Sequence, residues 1–243
     1  MAEESPPERL VYAILGWLLA RSAGTALNLR ELTFEDGSIG RWLRPDIKRF
    51  ERAVELKARA IRRIDAARPD AFGNRLMVEM TVRTIAAYRA LIDAGVDRSC
   101  ARKLVADVGW DIYSKMLGLY SWPFRLPTRD PSKPISRTIK ALLWFPFNPR
   151  GAAGYAVQHW EADGNTYTHF THCPPQSFVR ALIASGDDQG DLEAFRESWC
   201  RYDWPGADIL AGDGLRDHYE RRQTLSHGDS VCDMCWRARV EAR

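Results

Sequence analysis

The hydrophobic period of this chain changes once, and that change limits the folds open to it. Up to about residue 120, apolar side chains recur at helical spacing; from Tyr155 onward the spacing approaches two, as in a half-buried strand. Between them, residues 121–150 hold six prolines among aromatic and basic residues, the texture of a connecting or wrapping segment with room for one short helix over 135–143. A chain that is helical first and alternating afterwards is expected to be α+β, with a helical N-terminal half followed by an antiparallel sheet and helices against it.

The individual elements follow from local signals. Leu10 to Ala20 is an unbroken apolar run, read as a buried helix because eleven residues are too few to span a bilayer. From Pro45 to Ala71, Ile47, Phe50, Val54, Leu56, Ile61 and Ile64 mark one face of an amphipathic helix between dense charges, closed by Pro69 and Gly73. Asn74 to Gly95 and Asp97 to Tyr120 carry capping residues at their starts and read as two further helices. Asp163-Gly164 is a two-residue hairpin turn, which predicts strands over 155–161 and 166–173. Helices are expected over 176–186 and 191–204, then a closing strand pair over 218–227 and 231–240 joined across His227-Gly228-Asp229-Ser230. In that turn Gly228 supplies a positive φ and Asp229 can bond its own backbone. Residues 1–73 are expected to form a helical region of their own and residues 74–243 the α+β domain.

Charge narrows the range of partners. The 243 residues carry 35 basic and 32 acidic side chains, a formal net charge of +3, and the two signs are mixed rather than blocked. No phosphate-tracking stripe emerges, so nucleic acid is not an expected partner. Hydrophobic residues make up 45% of the chain, enough for a core that needs neither disulfide nor structural metal. Five cysteines, an odd number in a long chain, point to a reducing cytoplasm rather than a secreted disulfide scaffold. The acidic start "MAEESPPER" does not read as a signal peptide.

Cys232-x-x-Cys235 has the spacing of half a zinc site, but a regular strand would turn the two sulfurs to opposite faces. No metal and no cofactor is expected. A nucleophilic thiol needs a proton-moving neighbour. Cys173 shares a predicted strand face with His169, while His172 points the other way. Cys200 and Asp203 stand one turn apart on a predicted helix. The residues alone therefore give an α+β domain with a Cys/His/Asp cluster.

The order of these features resembles the L-2-amino-thiazoline-4-carboxylic acid hydrolase family. Four segments carry the resemblance: the helix Ala86 to Val105, Cys173-Pro174, Cys200 to Asp203, and Arg221-x-x-Thr224-x7-Cys232-Asp233, with Met234 in place of an aromatic residue. The last motif is also similar to that of 4-vinyl reductase type binding domains, whose zinc ligands would here be replaced by Arg221 and Thr224. The resemblance implies a curved sheet enclosing a small-molecule ligand, often in a homodimer. It implies hydrolytic opening of a small heterocycle bearing an amidine-like C=N and a carboxylate. In that chemistry Cys173 or Cys232 would be the nucleophile or a pocket thiol and Cys200 a further candidate. Asp203 would act as acid/base and Arg221 as carboxylate clamp, with Thr224, His169, His227 and Asp233 lining the substrate. The alternative is a non-catalytic sensor or carrier on the same fold.

Overall fold

The computed structural model describes residues 5–125, 132–149, 151, 153–186 and 188–238. It is an α+β chain with two antiparallel sheets and a helical N-terminal half. Two compact units share it. Unit 1 comprises residues 1–66, 78–112 and 178–198; unit 2 comprises residues 67–77, 113–177 and 199–243. Neither is a continuous stretch, and residue 73, the expected boundary, falls in the first turn of a helix, α3 (Phe72–Asp93).

Unit 1 begins with α1 (Pro6–Leu29), entered through a capping box in which Ser5 and Glu8 satisfy each other's backbone donors. A short β1 (Leu32–Thr33) and β2 (Ile39–Gly40) pair around a turn over 34–37, and α2 (Arg44–Ile61) packs against α1. The apolar run in α1 was expected to be buried and is buried on one face alone. Tyr12, Leu15 and Leu27 face inward, while Leu10 and Trp17 are 62% and 59% exposed and Ile14 is half exposed. One face of α1 meets the other helices, and its opposite face has no cover among the described residues. At 24 residues it is also longer than the eleven-residue run suggested, and by length and composition it could cross a membrane (mean hydropathy 1.4 over its best window). Core helices of water-soluble domains pass that same test.

Helix α2 is shorter than expected. It stops at Ile61 rather than continuing to Ala71, with Arg59 in its last turn favouring the carbonyl end of the helix dipole. Stopping there lets Arg62 turn onto α3 and donate two hydrogen bonds to Glu79, at 2.8 and 2.6 Å. Leu56, expected on the apolar face, is exposed. Helix α4 (Arg98–Ser121) starts at the Asp97 cap, whose carboxylate accepts from the Ser99 and Cys100 amides.

Unit 2 is built on a four-stranded antiparallel sheet in the order β3-β4-β6-β5. Strands β3 (Ala156–Ala162) and β4 (Asn165–His172) form the expected hairpin, and Asp163 and Gly164 both take positive φ, the two-residue turn that matches strand twist. The closing pair also forms, though as shorter strands, β5 (Tyr219–Arg221) and β6 (Cys232–Trp236). Helix α5 (Ser132–Trp144) packs against β4, burying Ile135, Ile139, Leu142 and Leu143. The aromatic residues that follow it pack rather than line an opening: Phe147 meets Tyr155 and Phe170 edge to face. Residues 126–131 and 150 of the proline-rich segment lie outside the described residues.

The helix expected over 191–204 is two. Helix α7 (Asp191–Ser198) ends before a turn that carries Cys200, and α8 (Asp203–Ala211) starts afresh at Asp203. Helix α6 (Pro174–Ala184) begins directly after Cys173.

Candidate functional site

Alternation along β4 and β6 decides which side chains reach the interior of unit 2. On β6, Cys232, Met234 and Trp236 oppose Phe170, Thr168 and Thr166 of β4, the buried face; Cys235 and Asp233 oppose Tyr167 and His169 on the other. The two sulfurs of Cys232-x-x-Cys235 are thus on opposite faces, as strand geometry demands. Among the described residues, no group of three or more His, Cys, Asp or Glu side chains is placed to hold a metal ion.

His169 does not join the cluster. Its ring packs at 4.6 Å against Trp160 on the outer face. The expectation that it shares a face with Cys173 fails because the strand ends at His172: Cys173 caps α6, and its carbonyl accepts from Ser177. Nor do Cys200 and Asp203 lie on one helix. The turn between α7 and α8 brings them together instead, with Arg221 bridging them: Nη1 donates to Asp203 at 2.9 Å and Nη2 to the Cys200 carbonyl at 2.8 Å. His227 is exposed in a 3-10 turn (Leu225–His227) closed by Gly228 at φ 96°. Asp233 accepts from the Arg222 and Gln223 amides and so holds the end of β5 rather than facing the cluster.

What the fold does bring together is Cys173, Cys200, Cys232, Asp203, Arg221 and Thr224, with Ser226, Tyr155 and Tyr219 around them. Each sulfur has a donor. The Gln176 amide in the first turn of α6 donates to Cys173, Ser226 hydrogen-bonds Cys200, and the Leu225 amide donates to the Cys232 sulfur at 3.3 Å. Thr224 Oγ1 lies 3.4 Å from that last sulfur and 3.1 Å from Ser226 Oγ. These contacts favour thiolate. Burial opposes them and wins: it raises all three thiols, Cys200 to about 12, so they are neutral at pH 7.

Asp203 is the group that titrates in a useful range. Burial pushes its carboxyl up to about 6, although Arg221 and a hydrogen bond from Tyr219 Oη at 3.2 Å pull the other way. Arg221, with a side chain only 6% exposed, lies 4.7 Å above the Trp204 ring, and Trp204, Tyr219 and Trp236 meet edge to face in turn. That aromatic wall was not singled out in the sequence, where aromatic residues at such spacing read equally as core; Ser226 and Gln176 carried no signal at all. No family model, curated protein or solved structure matches this chain.

Proposed function

We propose that unit 2 is a small-molecule hydrolase, acting on a carbon–nitrogen bond in a small heterocycle or amidine-like substrate that bears a carboxylate. The observation that carries the reading is Asp203: a buried carboxyl poised near pH 6, beside three thiols and a buried arginine. Perturbed acids next to nucleophiles are the usual signature of a reaction centre. Cys173 or Cys232 attacks the C=N carbon, its proton passing to the ring nitrogen with Asp203 as acid/base. Breakage of the ring bond leaves a thiol-bound intermediate, which water then hydrolyses, returning the thiol.

Arg221 supports the clamp role in a particular way. Its terminal nitrogens are occupied by Asp203 and the Cys200 carbonyl, so a substrate carboxylate competes with Asp203 for them. Uptake of a proton by Asp203 releases the competition. Substrate carboxylate binding should therefore tighten as pH falls through about 6.

The test uses the full chain with 2-aminothiazoline-4-carboxylate and a set of cyclic amidines, following ring opening by mass spectrometry. Turnover should fall roughly 100-fold or more in Asp203→Asn and in the variant of the reacting cysteine, with folding intact by circular dichroism. Ring opening at the wild-type rate in Cys173→Ala, Cys200→Ala and Cys232→Ala alike sinks the thiol mechanism. The second reading, a binding domain without catalysis, is favoured by the neutral state of all three thiols. It predicts saturable binding of the same compounds with no product.

A further inference from the structure

Unit 1 contains a cavity of its own, about 630 Å³, between α1, α2, α3 and α4. That is the size of a small-molecule site. Small residues on the inner face of α1, Ala13, Gly16, Ala20 and Ala23, leave the space, and Leu27, Phe50, Leu91 and Val108 help make the rest of the wall apolar. One end is different. There Glu79, with a side chain 7% exposed, accepts from two guanidinium groups at once: the fork of Arg62 and Nε of Arg83 at 2.7 Å.

That arrangement leaves Arg83 short of acceptors. Its nearest other carboxylate oxygen is Oε2 of the half-exposed Glu55, at 3.6 Å from Nη1, beyond hydrogen-bond length. The remainder of the guanidinium lies against Gly16, where a Cβ would come within 2.8 Å of Nη1 and 3.2 Å of Nη2. The charged residues that line the cavity, Arg9, Arg62 and Arg83 against Glu51, Glu55 and Glu79, balance in number. A guanidinium with an 85% covered side chain, offering its terminal donors beside an apolar cavity, fits a carboxylate on an apolar body.

We propose that this cavity binds an amphipathic carboxylate, with the carboxylate on Arg83 and the apolar chain along the small-residue face of α1. The site is separate from the thiol cluster of unit 2 and goes beyond the reaction proposed for it. Decanoate and decanol, which share a chain and differ in the head group, are the probes, measured by isothermal titration against the full chain. Decanoate should bind in the micromolar range and decanol about 10-fold or more weakly, because only the acid makes a charge-assisted pair. Gly16→Ala, which pushes the guanidinium aside, should weaken decanoate about 10-fold and leave decanol little changed. Ala87→Leu, which fills the cavity, should weaken both, and Cys173→Ala should weaken neither.

Absence of decanoate saturation below about 1 mM overturns the site. So does unchanged binding in Ala87→Leu. Equal affinity for decanol overturns the assignment of Arg83 as the anion's partner, and this comparison needs only the wild-type chain.

Discussion

Asp191 in unit 1 and Asp203 in unit 2 begin alike: each is the first residue of a short helix, each is largely withdrawn from water, and each is met by an arginine. They differ in how completely they are met. Asp191, with no exposed side-chain surface, takes a fork from Arg89, Nε at 2.9 Å and Nη2 at 2.5 Å. Asp203 takes one bond from Arg221, whose other arm goes to the Cys200 carbonyl, and one from the Tyr219 hydroxyl. The same pair of residue types is a rivet where the fork closes on both oxygens; at Asp203, where it does not, burial is left to raise the carboxyl.

The largest effect should come from breaking the rivet. Asp191→Ala removes both charge-assisted bonds that the buried carboxylate takes from Arg89 and should cost about 3–5 kcal/mol by chemical denaturation. A loss under about 1 kcal/mol would erase the contrast with Asp203. The second prediction concerns pH. Because burial raises the folded carboxyl of Asp203 above its ordinary value, its contribution to stability is complete below about pH 4 and is lost as pH rises through about 6. The stability advantage of wild type over Asp203→Asn should therefore shrink by roughly 1–3 kcal/mol between pH 4 and pH 7.5. A difference that stays flat would make Asp203 another rivet. The smallest effects should be equal in the two units. Gly95 in unit 1 (φ 80°) and Gly228 in unit 2 (φ 96°) have nothing within 4 Å of an added Cβ, so Gly→Ala at either costs only backbone strain. About 1–2 kcal/mol is expected at each. A much larger loss at Gly228 alone would mean that its turn is what holds Cys232 in position.

The parts of the fold that were legible in the sequence are those set by local chemistry. Asp163-Gly164 fixed a hairpin, Asp97 a helix start, and strand alternation the opposite facing of Cys232 and Cys235. What long-range packing decides was not legible. The 191–204 pattern is helical throughout, yet the chain breaks at Trp199, and only that break lets Asp203 and Cys200 meet Arg221. His169 was misplaced because the strand ends one residue before Cys173. The apolar run in α1 promised burial, but hydrophobicity cannot say whether a second layer exists to supply it.

Strands β4 and β6 pair directly, although three helices and β5 lie between them in sequence. Cys173 follows the first of these strands and Cys232 opens the second, so neither local hairpin holds more than part of the cluster. Closing that long loop costs chain entropy before any contact repays it. The consequence is temporal: the side chains of the cluster meet only when the most distant pairing in the sheet is made.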